Sequence, residues 1–502
     1  MKRIYIYTAI FAGLLSLTTS CSKDYLDVDP KGLTLESNFY KNQDQVMEGL
    51  TAIYASLSHE GGWSVKMIGF NSAGDECYTG GASVGDYSNY QAWNTNTMTA
   101  VNGPSEAYWN PDFQGIYRAN LLIQKISGGV SGMDDAVIKR YVAEAKTLRA
   151  YFNFELIRLF KNIPLITEPL EPSQWFNVTQ ATREEVYAQI EKDLKEAVDV
   201  LPTKSAMASS EMGRMDKECA EALLGKAILF QNDETRMKEA AGWFNKVNTA
   251  AGYALCPNFK DIFDPANKFN SESVFEITHT ASQQQGDWGA KIFGNMYVIA
   301  VGPRSYGHGT EDADHTYVSG WSFSPIIKDF VTFMKGDPRF KYTIADVDSL
   351  VTNCGAKYTP GYQNTGYFIQ KWAPLEKWRV AMGTTELNFP NDMIEIRLAD
   401  TYLMEAEALV RSGDTSGRAK TLLDAVRGRV GLPSVPATLD NIYKERRLEL
   451  ATEGHRWDDL IRTGQAATVL AFKGFKKGKN EYLPIPQSSL NNTKLVQDPA
   501  YQ

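Results

Sequence analysis

Apolar residues recur at intervals of three and four along much of the chain, which is the spacing of one face of an α-helix. This pattern predicts helices over 43–57, 109–126 and 134–160. In the last of these, a single apolar stripe runs from Tyr141 to Leu159, and Pro164 follows it as a stop signal. The pattern therefore predicts a mainly helical protein.

Two later segments show the same period twice, separated by a short polar break. One predicted pair covers 217–230 and 235–247, and the other covers 394–410 and 416–430. Small residues stand where the two helices of each pair would cross: Ala222, Gly225, Ala227, Ala406 and Ala408. Helix, short turn and helix with small residues at the crossing are typical of tetratricopeptide repeats, although the strict repeat consensus is not met.

A further helix over 186–200 is predicted to begin at a capping box, with Thr182 as the N-cap and Glu185 three residues later. The helical period is lost in two stretches that are rich in Gly, Asn and aromatic residues, 60–110 and 257–390. Both are expected to be loop regions, and long loops of this kind usually carry function. Within the second stretch, 273–277 reads as a short strand.

Composition supports a globular protein: 43% of the 502 residues are hydrophobic and 22% are charged. The formal net charge of −8 gives no basic excess with which to bind nucleic acid. Five cysteines without a CxxC pair exclude a disulfide scaffold and argue against a zinc ribbon. The pairing of Cys77, Cys219, Cys256 and Cys354 stays open.

The N-terminus has the form of a signal peptide over 1–20. Lys2 and Arg3 precede an apolar run, and small residues lead to Cys21. The segment 17–21, LTTSC, is similar to a bacterial lipobox, in which the cysteine is lipidated. The alternative is an ordinary secreted protein with a cysteine at that place by chance. Since no second apolar run of membrane length follows, lipidation at Cys21 predicts a protein that is anchored to a membrane and does not span it.

Motifs for catalysis are scarce. HExxH and GxxxxGK[ST] do not occur in the sequence. His308 and His315 flank three acids between them and are a possible metal site, but their spacing matches no familiar ligand set, so a solvated polar loop is the preferred interpretation. A pair of carboxylates for glycoside hydrolysis cannot be recognised among 60 acidic residues.

The densest ionic segment is 445–462, where acidic and arginine side chains alternate at helical spacing. Glu445, Glu449 and Glu453 are each one turn apart and have an arginine within three or four residues. A catalytic carboxylate pair is one interpretation. A structural network that joins a C-terminal helix to its neighbours is the favoured one.

The same segment, ERRLELATEGHRWDDLIRTG at 445–464, resembles the C-terminal signature of the SusD/RagB family. These are outer-membrane lipoproteins of Bacteroidetes that take part in nutrient uptake. Further stretches resemble the family in the same order along the chain: CSKDYLDVDP at 21–30, AEAKTLRAYFNFELIRLFKNIPLI at 143–166, IRLADTYLMEAEALVRSGD at 396–414 and LPIPQSSL at 483–490.

The resemblance implies a SusD-like fold of tetratricopeptide-like helix pairs with an irregular, loop-rich insertion that contains short strands. It also implies one compact unit, made of a helical part over 21–256, the insertion over 257–391 and a C-terminal helical part over 392–502. In function, it implies a non-enzymatic lipoprotein at the cell surface, with no cofactor. Such proteins bind oligosaccharides and act as the lid of a TonB-dependent transporter that resembles SusC.

Aromatic residues of the two loop regions form the family's binding arc, and a flat aromatic face suits the apolar face of a pyranose. The resemblance therefore makes Trp93 the first-loop candidate and implies a polar role for Asp75. Trp109 is assigned to the core. The candidates within the insertion are Trp288, Tyr306, Trp321 and, as a polar contact, Arg379.

Two other functions stay open at this point. Some RagB-like members handle peptides, so a peptide-binding uptake lipoprotein is the first alternative. A secreted glycosidase is the second, and it requires two buried carboxylates at a cleft. The glycan and its linkage do not follow from the sequence.

Overall fold

The computed structural model of the protein describes residues 39–57, 62–281, 293–381 and 383–502. Cys21 and Trp288 lie outside these ranges. The first part of the described chain is helical, with eight α-helices: α1 (Gln43–Ala55), α2 (Gly62–Ala73), α3 (Ser88–Asn94), α4 (Ser105–Ile126), α5 (Asp135–Leu159), α6 (Arg183–Val198), α7 (Lys217–Phe230) and α8 (Met237–Asn248).

The strong helical patterns are confirmed. Helix α5 buries the predicted apolar stripe, and α6 begins at the predicted capping box. In that box the backbone N–H of Glu185 donates to Thr182 Oγ1 over 3.2 Å, and the N–H of Thr182 donates to Glu185 Oε2 over 2.8 Å. Two of the amide groups that a helix start leaves without a helical partner are satisfied in this way.

The prediction of a continuous loop over 60–110 is wrong, because α2 and α3 lie within it. Residues 66–73 of helix α2 are all buried, and they lie among aromatic residues. A Cβ atom at Gly69, for example, would come within 2.5 Å of Tyr108 and 2.7 Å of Tyr90. A helix that is buried all round has no polar face, so it shows no amphipathic period in the sequence.

Most of the predicted insertion lies between two strands that form one antiparallel pair, β1 (Ser273–Ile277) and β4 (Met393–Arg397). Ile277 lies opposite Met393, so the chain leaves and re-enters the scaffold at neighbouring points. The strand predicted over 273–277 is confirmed, whereas the helix predicted from 394 begins only at Leu398. Its first residues include the β-branched Ile394 and Ile396, which pair with β1 instead.

Between these strands lie short elements and long irregular stretches. The described elements are α9 (Met296–Val301), α10 (Lys328–Met334), α11 (Phe340–Thr343), β2 (Ile344–Asp346), α12 (Val347–Cys354) and β3 (Tyr367–Ile369). Strands β2 and β3 form a second antiparallel pair, in which Ala345 lies opposite Phe368.

After β4 the helical scaffold resumes with α13 (Leu398–Arg411), α14 (Arg418–Arg429), α15 (Leu439–Glu449), α16 (Arg456–Arg462), α17 (Ala466–Val469) and α18 (Gln487–Leu490). Both predicted helix pairs are present, as α7 with α8 and α13 with α14. In the first pair a Cβ atom at Gly225 would come within 2.9 Å of the Phe244 ring, so the small residue permits the close crossing.

Helix α8 packs directly against α13, which joins the series of helix pairs across the insertion. Asn248 of α8 donates to Glu405 Oε2 of α13 over 2.7 Å, and Thr401 donates to Asn248 Oδ1 over 2.6 Å. The main hydrophobic core extends over most of the described chain, from Tyr40 to Ile485. The division at 256 and 391 stays a prediction. Within the described ranges, every helix is too short or too polar to cross a bilayer.

Candidate functional site

A surface cavity of about 530 Å³ lies within the insertion, and we name it the aromatic cleft. Its walls are formed by residues within 304–308 and 317–321 and, on the third side, by Glu376, Arg379, Thr385 and Glu386. The volume falls in the range of about 300–1,000 Å³ that is usual for small-ligand sites. Three of the predicted residues, Tyr306, Trp321 and Arg379, line it together.

Two glycines allow the first two walls to approach each other. A Cβ atom at Gly320 would come within 2.5 Å of the backbone of Gly302, so no larger residue fits this crossing. The N–H of Gly320 donates to the carbonyl of Pro303 over 2.8 Å. Beyond the crossing, Arg304 Nη2 donates to the carbonyl of Trp321 over 3.0 Å. This bond holds the guanidinium against the backbone of Trp321 at the edge of the cleft.

The backbone near this crossing is unusual. Ser305, Ser322 and Ser324 have φ angles of 51°, 62° and 52°, in the left-handed region that residues with a side chain seldom occupy. Such conformations persist only where the surrounding structure enforces them, and they concentrate at functional sites. They support this part of the insertion as a recognition surface.

Tyr306 is held rigidly in the wall. Its ring is 5.2 Å from that of Tyr317 in an edge-to-face arrangement. Its hydroxyl lies 3.1 Å from Glu311 Oε1 and 3.2 Å from the carbonyl oxygen of His315. Burial, together with the charge of Glu311, raises the pKa of Tyr306, so the hydroxyl stays protonated at neutral pH and keeps its role as a donor.

The opposite wall is polar and open to solvent. Arg379 Nη1 is 3.2 Å from Glu376 Oε1, and both side chains are more than a third exposed. Glu386 and Thr385 continue this rim. The cleft thus presents a half-buried indole face on one side and charged groups that still reach water on the other.

Residues 230–501 match the sequence model of the SusD family. This match covers more than half of the chain. The chain belongs to the SusD family. Residues 24–229 match a second family, described as "Starch-binding associating with outer membrane".

Curated relatives from two organisms match most of the chain. It is 26% identical to "SusD-like protein P2" of Formosa agariphila over 99% of both chains. It is 23% identical to "Starch-binding protein SusD" of Bacteroides thetaiotaomicron over 74% of both.

Solved structures of SusD-like proteins superpose closely on this one. A "Laminarin binding SusD-like protein" is 43% identical with a TM-score of 0.87, over 92% of this chain and 100% of that one. "Surface glycan-binding protein A from Bacteroides thetaiotaomicron in complex with laminarihexaose" is 26% identical with a TM-score of 0.81, over 91% of this chain and 99% of that one. The predicted SusD-like fold, mainly helical with tetratricopeptide-like pairs, is confirmed.

The proposal of Trp93 as a sugar platform is wrong for this SusD-family structure, because its side chain is fully buried. It lies on α3 with its ring centroid 5.7 Å from Phe70, 5.6 Å from Tyr108 and 5.3 Å from Trp457. The assignment of Trp109 to the core is confirmed, since it is 5% exposed and packs edge-to-face on Phe160.

Asp75 is also structural and does not line the aromatic cleft. Its carboxylate accepts hydrogen bonds from Arg456 Nε over 2.7 Å and from Arg447 Nη2 over 2.6 Å. Burial alone would raise the pKa of Asp75, but these two guanidinium groups lower it. With both oxygens engaged and 8% of its surface exposed, Asp75 is not placed to accept hydroxyl hydrogens from a sugar.

The remaining candidate, Trp288, lies outside the described residues. Conversely, Arg304, Tyr317, Glu376 and Glu386 line the cleft and were not singled out from the sequence. The available signal for Arg304 was its position directly after Gly302-Pro303, in a stretch rich in aromatic residues. Glu376 carries no local signal, because its place depends on how the insertion folds back.

The ionic segment is a structural network, as favoured from its sequence. Glu449 accepts hydrogen bonds from Arg397 over 2.6 Å, from Arg339 over 2.7 Å and from Arg429. Burial alone would raise the pKa of Glu449, but these three arginines hold it well below its usual range. Arg446 similarly joins Asp400 of α13 to Asp459 of α16, at 2.7 Å and 3.0 Å.

The histidines singled out from the sequence have separate partners. His308 Nε2 lies 3.1 Å from the carbonyl oxygen of Tyr317, and His315 Nδ1 lies 2.7 Å from Asp312 Oδ1. Nowhere in the described ranges do three or more potential metal-ligating side chains gather into a site.

Proposed function

We propose that this protein binds oligosaccharides at the cell surface, and that the aromatic cleft holds a glucan of the laminarin type. The observation that carries the proposal is the meeting of Tyr306, Trp321 and Arg379 at one cavity of about 530 Å³. The 43% identity to a laminarin-binding SusD-like protein supports the choice of glucan. Laminarihexaose is present in the structure of a second relative.

The cleft has the two surfaces that a pyranose needs. The C–H face of the sugar can stack on the indole of Trp321, which is half-buried and supported from behind. Hydroxyl groups at the sugar's rim can bond to Arg304, Arg379 and Glu376, since these groups combine charge with access to solvent. Such sites gain affinity from a few well-placed polar groups around an apolar face.

The arrangement favours binding over hydrolysis. Hydrolysis of a glycosidic bond requires a protonated carboxyl group that faces a second carboxyl across the bond. At the rim of the cleft, Glu376 instead forms an ion pair with Arg379. We therefore propose a binding protein and not an enzyme. The aromatic surface also favours a sugar over the alternative peptide ligand.

Lipidation at Cys21 would hold the protein at the outer membrane, where we propose that it serves as the lid of a SusC-like TonB-dependent transporter. The family description "associating with outer membrane" supports this location.

Fractionation of cells tests the anchor and the partner together. Tagged wild type should stay with the outer membrane and co-purify a TonB-dependent barrel. A Cys21→Ala protein that still fractionates with the membrane would contradict the proposed anchor.

Calorimetry on the soluble protein that begins at Ser22 tests the ligand. Wild type should bind laminarihexaose, and Trp321→Ala should lose about 2 kcal/mol of binding free energy, as expected for an aromatic hot spot. The matched control is Trp175→Ala, since that indole is 54% exposed and lines a different cavity. Equal binding by Trp321→Ala would remove the cleft as the site. Binding of peptides but of no glycan would make the peptide-binding alternative the better function.

A further inference from the structure

A second cavity of about 390 Å³ lies on the other side of one short turn, and we name it the lysine cleft. The turn is the single 3₁₀ turn Glu376–Trp378. Glu376 and Arg379 line the aromatic cleft, whereas Lys377 and Trp378 line the lysine cleft. Neighbouring residues of one turn therefore serve two cavities.

The ridge between the cavities is fixed by backbone hydrogen bonds. The N–H of Val318 donates to the carbonyl oxygen of Pro374 over 2.7 Å. The N–H of Glu376 donates to the carbonyl oxygen of Thr316 over 2.9 Å. Side chains also connect the two walls. Tyr317 lines the aromatic cleft, and its hydroxyl donates to Oε1 of Gln370, which lines the lysine cleft, over 2.7 Å. Because of these bonds, the two cavities keep a constant spacing.

The lining of the lysine cleft combines apolar rings with polar groups. Half-buried rings of Phe263, Tyr342 and Trp378 contribute apolar surface. Asn391 is 5% exposed, and its Oδ1 has no hydrogen-bond donor within the described part of the chain. Aromatic faces beside amide groups suit a pyranose, as they do in the aromatic cleft.

The charges of the lysine cleft nearly cancel. Asp314 accepts from both Lys260 and Lys377, the latter over 2.7 Å, and Asp312 pairs with His315. Lys341 is exposed at the same cavity, and none of the acids in the described ranges pairs with it. A small positive excess without an anion-binding pocket fits a neutral, hydroxyl-rich ligand better than a strongly charged one.

We propose that the lysine cleft is a second carbohydrate subsite, occupied by a further stretch of the same glucan chain that the aromatic cleft holds, with the Glu376–Trp378 turn as the ridge between them. This inference rests on the proposed function. It adds a length requirement: short oligosaccharides fill one cleft, and longer chains engage both. Binding of the second stretch is then intramolecular, so affinity rises with chain length without any change at the first cleft.

Calorimetry with glucans of increasing length tests the subsite. Trp378→Ala should leave the affinity for laminaritriose unchanged and should weaken the affinity for polymeric laminarin roughly tenfold, which corresponds to about 1.4 kcal/mol. Trp321→Ala should weaken both. Trp378 is partly packed, so its replacement could also disturb the fold. Lys341→Ala, on an exposed side chain, is therefore a second variant. It should lower the affinity for the polymer by a smaller factor and leave the affinity for the trisaccharide unchanged. Lys335→Ala, another exposed lysine outside the cavity, is its matched control.

The possible outcomes are distinct. If wild type binds the trisaccharide and the polymer with equal affinity per site, the proposal of a second subsite is wrong. The proposal for the aromatic cleft is unaffected by that result. The second subsite is likewise overturned if Trp378→Ala and Lys341→Ala, both folded by thermal unfolding, bind the polymer like wild type. Wild type that binds no glucan of any length overturns the proposed function and the subsite together.

Discussion

Arginine and glutamate form ion pairs in two regions of this molecule with opposite surroundings. In the ionic network, Arg397 is 2.6 Å from Glu449, and both side chains are almost completely buried. At the rim of the aromatic cleft, Arg379 is 3.2 Å from Glu376, and both are open to water. The same residue types therefore hold a scaffold together in one place and remain available to a ligand in the other.

Burial explains the difference. A buried guanidinium must be fully satisfied, because each unpaired charge in the interior costs several kcal/mol. Arg397 accordingly bonds to Glu272, Glu449 and Glu453 and has no spare donor for a ligand. The exposed pair contributes little to stability, since water screens it. Its groups can therefore exchange their partners at low cost, as the proposed sugar ligand requires.

The largest expected effect is in the ionic network. Arg397→Ala leaves three buried carboxylates without their shared partner, and we expect it to lower the free energy of unfolding by about 3–5 kcal/mol. Urea denaturation measures this change. Arg379→Ala is the matched control and should stay within about 0.5 kcal/mol of wild type. If the two variants lose similar amounts of unfolding free energy, the proposed difference between the two regions is wrong.

The second effect separates two tryptophans in the same way. Trp93→Ala removes a fully buried ring, and we expect a loss of stability of about 3 kcal/mol, the lower end for such a change. The lower end is expected because the indole N–H has no acceptor within the described residues, so its removal relieves a cost. The folded variant should still bind laminarihexaose by calorimetry. A stable Trp93→Ala that no longer binds would restore Trp93 as a contact residue.

The third effect is the smallest over a single pH unit, and it concerns a buried acid that pairs with no arginine in the described part of the chain. Burial, with the nearby charge of Asp392, raises the pKa of Glu276 to about 8 from its ordinary value of 4.5. The folded state thus holds an extra proton, so this contribution to stability is complete below pH 4.5 and is lost as the pH rises toward 8. The slope from this group reaches at most about 1.4 kcal/mol per pH unit.

Glu276→Gln should therefore flatten the fall in stability between about pH 5 and pH 8, as measured by urea denaturation at several pH values. Glu386→Gln, at the rim of the aromatic cleft, should leave that slope as it is in wild type. An unchanged slope in Glu276→Gln would mean that another buried acid carries the proton.

The sequence predicted the scaffold well, because amphipathic helices repeat their apolar residues at a fixed spacing. Helix α5 and the capping box at Thr182 are examples in which local chemistry determines local structure. The failures have the converse cause. Helix α2 is buried on several sides and shows no period, and the start of α13 was misplaced because pairing with β1 makes 393–397 a strand.

The candidate site was predicted only in part for a related reason. Trp93 and Trp321 are both in stretches without a helical period, and only the tertiary packing of α2, α3 and α16 separates the buried ring from the half-buried one. The fold does bring Tyr306, Trp321 and Arg379 to one surface cavity. Their neighbours Arg304 and Glu376 depend on long-range folding of the insertion, which leaves no local trace in the sequence.

The closure of the insertion by β1 and β4 has an evolutionary consequence. Since the chain re-enters the scaffold beside the point where it left, with Ile277 opposite Met393, the segment between them is an exchangeable cassette. Lengthening such a closed segment is cheap in chain entropy, about 0.6 kcal/mol for each doubling. Direct packing of α8 against α13 keeps the frame continuous beneath it. Substitutions within the cassette can therefore change ligand preference without changing the packing of the helical frame.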